Sequence, residues 1–154
     1  METYYLDTSA VVKRYLREHG SNWVTELWRH TEDIGLFSAN LIDVEVICAL
    51  SRAQREGRIG LNRRNELAGS YIMEAQLALD RITITEKILR AAHRLALRHP
   101  LRAYDAMHLA TALDLAERLF WSDVPAPIFV SADANLIAAA RAEGMAAEDP
   151  NAHE

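Results

Sequence analysis

The sequence predicts an α/β protein, a three-layer sandwich with a short central parallel sheet flanked by helices. Two observations predict it. Short apolar or β-branched runs (Tyr4-Tyr5-Leu6, residues 34–38, Ile82-Thr83-Ile84, Ile128-Phe129-Val130) alternate with longer stretches of helical periodicity. The 154 residues are 50% hydrophobic and contain no repeat, low-complexity tract or Pro/Gly-rich linker, so one core and one domain over residues 1–154 are expected.

The elements follow in order. Residues 3–7 read as a buried strand, and residues 9–18 as a helix with Val11, Val12, Tyr15 and Leu16 on one side and Gly20 as its stop. Ser21 can cap the next helix, which carries Trp23, Val24, Leu27 and Trp28. Residues 34–38 form a second strand, and Asn40 precedes a helix reaching about residue 56, with Gly57 behind it. Another helix runs from Asn62 to about residue 79, with Gly69 as a weak point. Ile82-Thr83-Ile84 alternates and is β-branched, a third strand. Residues 86–98 are helical and end at Pro100, and residues 102–119 form the clearest helix of the chain. A loop over 120–127 leads to a fourth strand at 128–130 and a final helix over 135–143, closed by Gly144.

Four acids stand out against this frame. Asp7 closes the first apolar run and Asp133 follows the last, while Glu45 and Asp105 fall in the early turns of two helices. Carboxylates placed just beyond the ends of buried parallel strands converge at the sheet's carboxyl edge, where open α/β folds bind ligands. Four such groups close together would be forced toward protonation unless a cation neutralised them. Mg²⁺ or Mn²⁺ suits such a set: it prefers carboxylate oxygens, retains waters and lowers the pKa of a bound one for attack at phosphorus. Each acid also has a plainer role available. Asp7 and Asp133 can cap the helices that follow them, Asp105 can complement a helix N-terminus, and Glu45 can be a solvated residue at the edge of an apolar face.

The blocks YYLDTSAVVKRY (4–15), SANLIDVEVICAL (38–50), YDAMHLATAL (104–113) and FVSADANLIAAARAEGM (129–145) resemble, in order and spacing, the four acidic blocks of PIN-domain nucleases. The likeness is greatest to VapC-type toxins of type II toxin–antitoxin systems and spans nearly the whole chain, with no departure at the four acids. The resemblance implies a PIN-like fold in which Asp7, Glu45, Asp105 and Asp133 bind Mg²⁺ or Mn²⁺ and support endonucleolytic cleavage of RNA. It also implies that Thr8, Ser9 and Ser131 orient a carboxylate or a substrate phosphate. By the same resemblance the protein forms a homodimer and receives the C-terminal segment of a cognate antitoxin in a groove beside the acidic site.

Composition bounds the other possibilities. Seventeen Lys+Arg against twenty-two Asp+Glu give a formal charge of −5, opposite to the field of a typical nucleic-acid binder. A cation-binding acidic site accounts for part of that charge. The stretch Arg52, Arg55, Arg58, Arg63 and Arg64 reads as a solvated surface. With Cys48 as the only cysteine, no apolar run of membrane-spanning length and no charged signal-peptide start, a cytoplasmic protein without membrane association is expected.

The remaining polar and aromatic residues have modest expected roles. Asp43 is turned away from Glu45 and reads as surface, Asp114 lies more than two turns beyond Asp105, and Asp123 suits a turn. His108, one turn after Asp105, either hydrogen-bonds it or packs. Cys48 reads as a small buried hydrophobe rather than a nucleophile. Lys13 and Arg14 either reach a phosphate or stay solvated. Trp23, Trp28 and Tyr15 read first as core or interface, and the Trp23/Leu27/Trp28 side of its helix is a partner surface unless the core takes it.

Competing classes fare worse. A phospho-signalling receiver needs paired acids after its first strand, an acceptor Asp after its third and a late strand-end lysine; here Thr8 follows Asp7, Thr85 follows Ile84, and Lys87 is the last lysine. A haloacid-dehalogenase-like phosphatase needs Asp-x-Asp, which Asp7-Thr8-Ser9 lacks. A non-catalytic PIN-like interaction module is the other alternative, and the intact acids speak against it.

Overall fold

The sheet is built outward from the first strand of the chain. Strands β1 (Glu2–Leu6), β2 (Ile34–Ala39), β3 (Asp80–Ile82), β4 (Ile128–Val130) and β5 (Ala147–Glu148) are all parallel, in the order β3-β2-β1-β4-β5. The computed structural model describes residues 1–154. Tyr4 of β1 pairs with Leu36 on one side and with Ile128 on the other. Successive strand side chains point to opposite faces, so Leu6 and Tyr5 enter different cores. Leu6, Leu36 and Val130 pack beneath α1 (Thr8–Val11), α2 (Ser21–Arg29), α3 (Ile42–Arg55) and α4 (Leu61–Ala78). Tyr5 and Phe129 pack beneath α5 (Glu86–Arg98), α6 (Ala103–Phe120) and α7 (Ala134–Ala142). The expected three-layer α/β architecture is therefore present.

Sheet order positions the site. The chain leaves β1 over one face and reaches β4 over the other, so the segments that follow these neighbouring strands diverge to opposite faces. Such a switch point leaves a crevice at the strands' carboxyl ends. Asp7 follows β1 there, its N–H donating to Val130 O at 3.1 Å, and Asp133 lies three residues beyond the end of β4.

Several local expectations are corrected. β3 lies two residues earlier than Ile82-Thr83-Ile84 suggests, because its register against β2 pairs Phe37 with Asp80 and ends with Ala39 opposite Ile82. The first helix is shorter than 9–18: after α1 the chain tightens into a 3-10 turn over Val12–Arg14 and wraps around the Lys13 ammonium. That ammonium is buried and bonds His19 O at 2.8 Å and Asn151 Oδ1 at 2.9 Å, so Lys13 neither meets a phosphate nor is solvated. Ser21 does not cap α2; its hydroxyl donates to Leu16 O and accepts from Glu18 N, tying down the preceding loop. Two-residue β5 has too little pattern to be read from sequence, and Gly69 does not interrupt α4.

Burial on α3 explains another difference. Its core-facing residues are Ile42, Val46, Leu50 and Ala53, one stripe at helical spacing. Cys48 lies off that stripe with Val44, so both are exposed. Leu27 and Trp28 go the other way: both are buried in the core, so the α2 face is not a partner surface. Trp23 stacks on His153 at 4.4 Å between ring centroids, holding the C-terminal 3-10 turn (Pro150–Ala152) near α2. No helix is long and apolar enough to cross a membrane.

Gly20 makes this closure possible. Its φ of +81° is left-handed, and a Cβ there would lie 2.3 Å from Pro150 O. Gly20→Ala is expected to lower stability by about 2–3 kcal/mol, from backbone strain and steric overlap together. An unchanged denaturation midpoint would show that the C-terminal turn can move aside without loss.

Candidate acidic active site

Asp7 is the most constrained of the four acids. Only 3% exposed, it caps α1 by accepting from Ala10 N at 3.0 Å on Oδ1. The same oxygen accepts from Ser9 Oγ at 2.6 Å, and Oδ2 accepts from Ser131 Oγ at 2.6 Å. Burial pushes the Asp7 carboxyl above its ordinary pKa, while His108 and the Ser131, Ser9 and Ala10 donors pull it part of the way back. Capping and site-lining are thus one arrangement at Asp7 rather than alternatives.

The serines also tie the two strand ends together. Ser9 Oγ accepts from Ala132 N at 2.8 Å, and Ser131 Oγ accepts from Asp133 N at 3.1 Å. Asp133 in turn caps α7, accepting from Leu136 N at 3.0 Å. Ser9 and Ser131 therefore orient the Asp7 carboxylate, whereas Thr8 faces His108, with Oγ1 3.4 Å from Nε2.

Glu45 and Asp105 come from opposite faces of the sheet. Glu45, in the first turn of α3, lies 2.7 Å from His108 Nε2, and His108 Nδ1 lies 2.9 Å from the Tyr5 hydroxyl. His108 is 2% exposed. It pairs with Glu45, not with Asp105 as the one-turn spacing suggests: α6 directs the imidazole inward between β1 and α3 and leaves Asp105 at the cavity. A carboxylate can only accept, so in the neutral imidazole Nε2 carries the proton and Nδ1 accepts from Tyr5. Asp105 instead meets Arg102, whose Nε donates to Oδ2 at 3.1 Å, and a terminal nitrogen of the same guanidinium lies 3.6 Å from Asp133 Oδ2.

All four acids line one cavity of about 790 Å³, together with Thr8, Ser9, His108, Arg52, Arg102 and Tyr104. The other polar residues lie elsewhere. Asp43 accepts from Tyr71 Oη at 2.7 Å and pairs with Arg81, Asp114 is buried in ion pairs with Lys87 and Arg118, and Asp123 closes a turn at φ 56°. Arg14 pairs with Glu74. Of the basic stretch, Arg58 and Arg63 pair with surface glutamates, while Arg52 reaches the cavity. Sequence reasoning missed Arg102; its position three residues before Asp105 was the available signal.

No three of the His, Cys, Asp and Glu side chains are grouped so as to enclose an ion. Glu45 is drawn onto His108, and Asp105 and Asp133 onto Arg102. The donor chemistry nevertheless suits a hard divalent cation, since hard carboxylate oxygens surround the cavity and burial of one of them is opposed by its own charge.

A doubly wound parallel sheet with an acidic cavity at its switch point defines the class, and the PIN domain family model matches residues 4–124. The chain belongs to the PIN-domain family. Its relatives include two proteins of Mycobacterium tuberculosis, Ribonuclease VapC45 of strain CDC 1551 / Oshkosh and Ribonuclease VapC49 of strain ATCC 25618 / H37Rv. Each is 31% identical over 124 residues, which cover 76% of this chain and 79% of the relative. Among solved structures, VapBC2 from Rickettsia felis bound to a DNA fragment from their promoter matches with a TM-score of 0.61 at 13% identity, covering 96% of this chain and 98% of that one. At that identity the likeness is one of fold.

Proposed function

We propose that this chain is a divalent-metal-dependent endoribonuclease and the toxin of a toxin–antitoxin pair, acting in the cytoplasm. The observation that carries this reading is that carboxylates from four separate segments line one cavity at the switch point of a PIN-domain sheet. The 31% identity to proteins named as VapC ribonucleases supports RNA as the substrate and the toxin role.

In this reading Asp7, Glu45, Asp105 and Asp133 hold Mg²⁺ or Mn²⁺. Such a cation, when bound, would supply a water of lowered pKa and would offset the negative charge that develops on the phosphate oxygens. The chain's own residues do the positioning. Ser9, Ser131 and the Ala10 N–H fix the orientation of Asp7, and His108 fixes Glu45. Arg52, on the cavity wall, supplies positive charge for a phosphate of the bound strand, and exposed Tyr104 offers a ring on which an unstacked base can lie.

Partner binding has support of a different kind. Val44, Ile47, Cys48, Tyr71 and Ile72 line a groove of about 410 Å³ between α3 and α4, and Val44 and Cys48 are shared with the acidic cavity. An apolar groove opening on an acidic cavity suits an antitoxin segment that ends in a basic side chain, and the exposed Met73 and Leu77 extend apolar surface along α4 for a homodimer.

The test is cleavage of RNA by the purified chain. Cleavage is expected with Mg²⁺ or Mn²⁺, to cease with EDTA, and to fall by on the order of a hundredfold or more in Asp105→Asn. Undiminished cutting in EDTA and by Asp105→Asn would sink the assignment.

A further inference from the structure

Arg102 lies across the mouth of the acidic cavity, and its placement goes beyond that of an ordinary helix-end ion pair. The residue is the N-cap of α6, with extended backbone at φ −72° and ψ 161°, and its side chain folds back over the first helical turn. A simple pairing at that spacing would involve Asp105 alone. Here the same guanidinium also lies 3.6 Å from Asp133, which belongs to a different element as the N-cap of α7. Arg102 forms no ion pair with any acid outside the cavity. Although its side chain is 81% exposed and free to extend into solvent, it spans two of the four carboxylates.

Electrostatics accounts for this position. Four carboxylates facing one cavity repel one another, and a guanidinium is a cation that does not lose its proton at any ordinary pH. Its planar fork reaches two carboxylates at once, which a lysine ammonium does less well. A divalent cation would take up oxygens of the same two acids, and two positive groups cannot share them without mutual repulsion. We infer that Arg102 is an internal counter-ion that occupies Asp105 and Asp133 until a divalent cation displaces it, so that the chain's own arginine competes with the metal. The inference rests on the metal-dependent reading of the site. Displacement turns the guanidinium outward, and the two acids then become free to close on the ion.

The competition is modest in size because the side chain is exposed. Ion pairs of this kind contribute up to roughly 1 kcal/mol, which corresponds to about a fivefold change in affinity. Calorimetric titration of the intact protein with Mn²⁺ reads it directly. Arg102→Gln is expected to bind Mn²⁺ about two- to fivefold more tightly than the unaltered chain, and Arg102→Lys, which keeps the charge but not the fork, is expected to fall between them. By linkage, the rise in melting temperature at a fixed Mn²⁺ concentration should be larger in Arg102→Gln. Equal or weaker Mn²⁺ binding by Arg102→Gln would overturn the role of Arg102 while leaving the metal-dependent reading standing. If neither protein takes up Mn²⁺ at millimolar concentration, the metal-dependent reading falls, and the counter-ion role falls with it.

Discussion

Asp7→Asn is expected to abolish RNA cleavage and at the same time to make the metal-free protein more stable. Loss of cleavage should be on the order of a thousandfold, the scale at which a preorganised electrostatic contribution disappears. The gain in stability follows from the sign of the Asp7 shift, which burial directs upward. In the unfolded chain the carboxyl ionises at its ordinary, lower pKa. Below that value both states hold the proton and no penalty arises. As pH rises through the unfolded value toward the folded one, the unfolded chain gives up its proton first and stability falls. At neutral pH the buried carboxylate therefore weakens the fold, and an uncharged amide removes that cost. The amide can keep the pattern of bonds, because its oxygen accepts from Ser9 and Ala10 while its NH₂ faces Ser131 Oγ, which is itself able to accept. Melting in EDTA should rise by a few degrees near neutral pH, with the difference fading toward acid. A variant that melts at or below the unaltered chain at neutral pH would show that Asp7 carries no such strain.

His108→Leu is expected to slow cleavage by about 10–100-fold without removing any carboxylate, the usual cost of losing the partner that orients a ligand. The imidazole is the one side chain that hydrogen-bonds Glu45, at 2.7 Å, and it is itself held by Tyr5. Leucine leaves Glu45 free to rotate and the buried Tyr5 hydroxyl without this acceptor, so stability should also fall by about 1–3 kcal/mol. His108→Gln separates the two effects, since its amide can donate from near the Nε2 position and should restore much of the rate. Single-turnover cleavage by folded protein, checked by circular dichroism, measures both variants. Full activity in His108→Leu would mean that Glu45 needs no such support.

The architecture was legible because strand and helix periods differ and because punctuation was clear: residues 86–98 and 128–130 have the bounds the pattern suggests. Placement failed where tertiary pairing overrode local preference. Thr83 and Ile84 have strong strand character, yet β2 has ended before they could pair. Cys48 sits among apolar residues in sequence, but helical geometry turns it away from the stripe that is buried. At the site, the four acids announce themselves by position after strands or in first turns. Their partners do not. His108 to Glu45 and Arg102 to Asp133 are contacts between separate elements, and nothing in local spacing distinguishes them from the nearer partner Asp105. Lys13 likewise has the sequence context of a solvated charge, and the His19 carbonyl together with Asn151 of the returning C-terminal segment makes it structural.

The central position of β1 has a consequence for the timing of synthesis. Tyr4, Tyr5 and Leu6 pair with Ile128, Phe129 and Val130, and Asp7 is oriented by Ser131. A chain that emerges from the ribosome at about 5–20 residues per second makes Asp7 wait roughly 6–25 s for those partners. During that interval the first acid and Ser9 are present, but Ser131, the second of its orienting hydroxyls, and the fourth acid are not. A translation product interrupted before residue 128 would carry three of the four acids and still lack the strand that aligns them. The fold thus delays the full alignment of its first acid until β4 and Ser131 have been made.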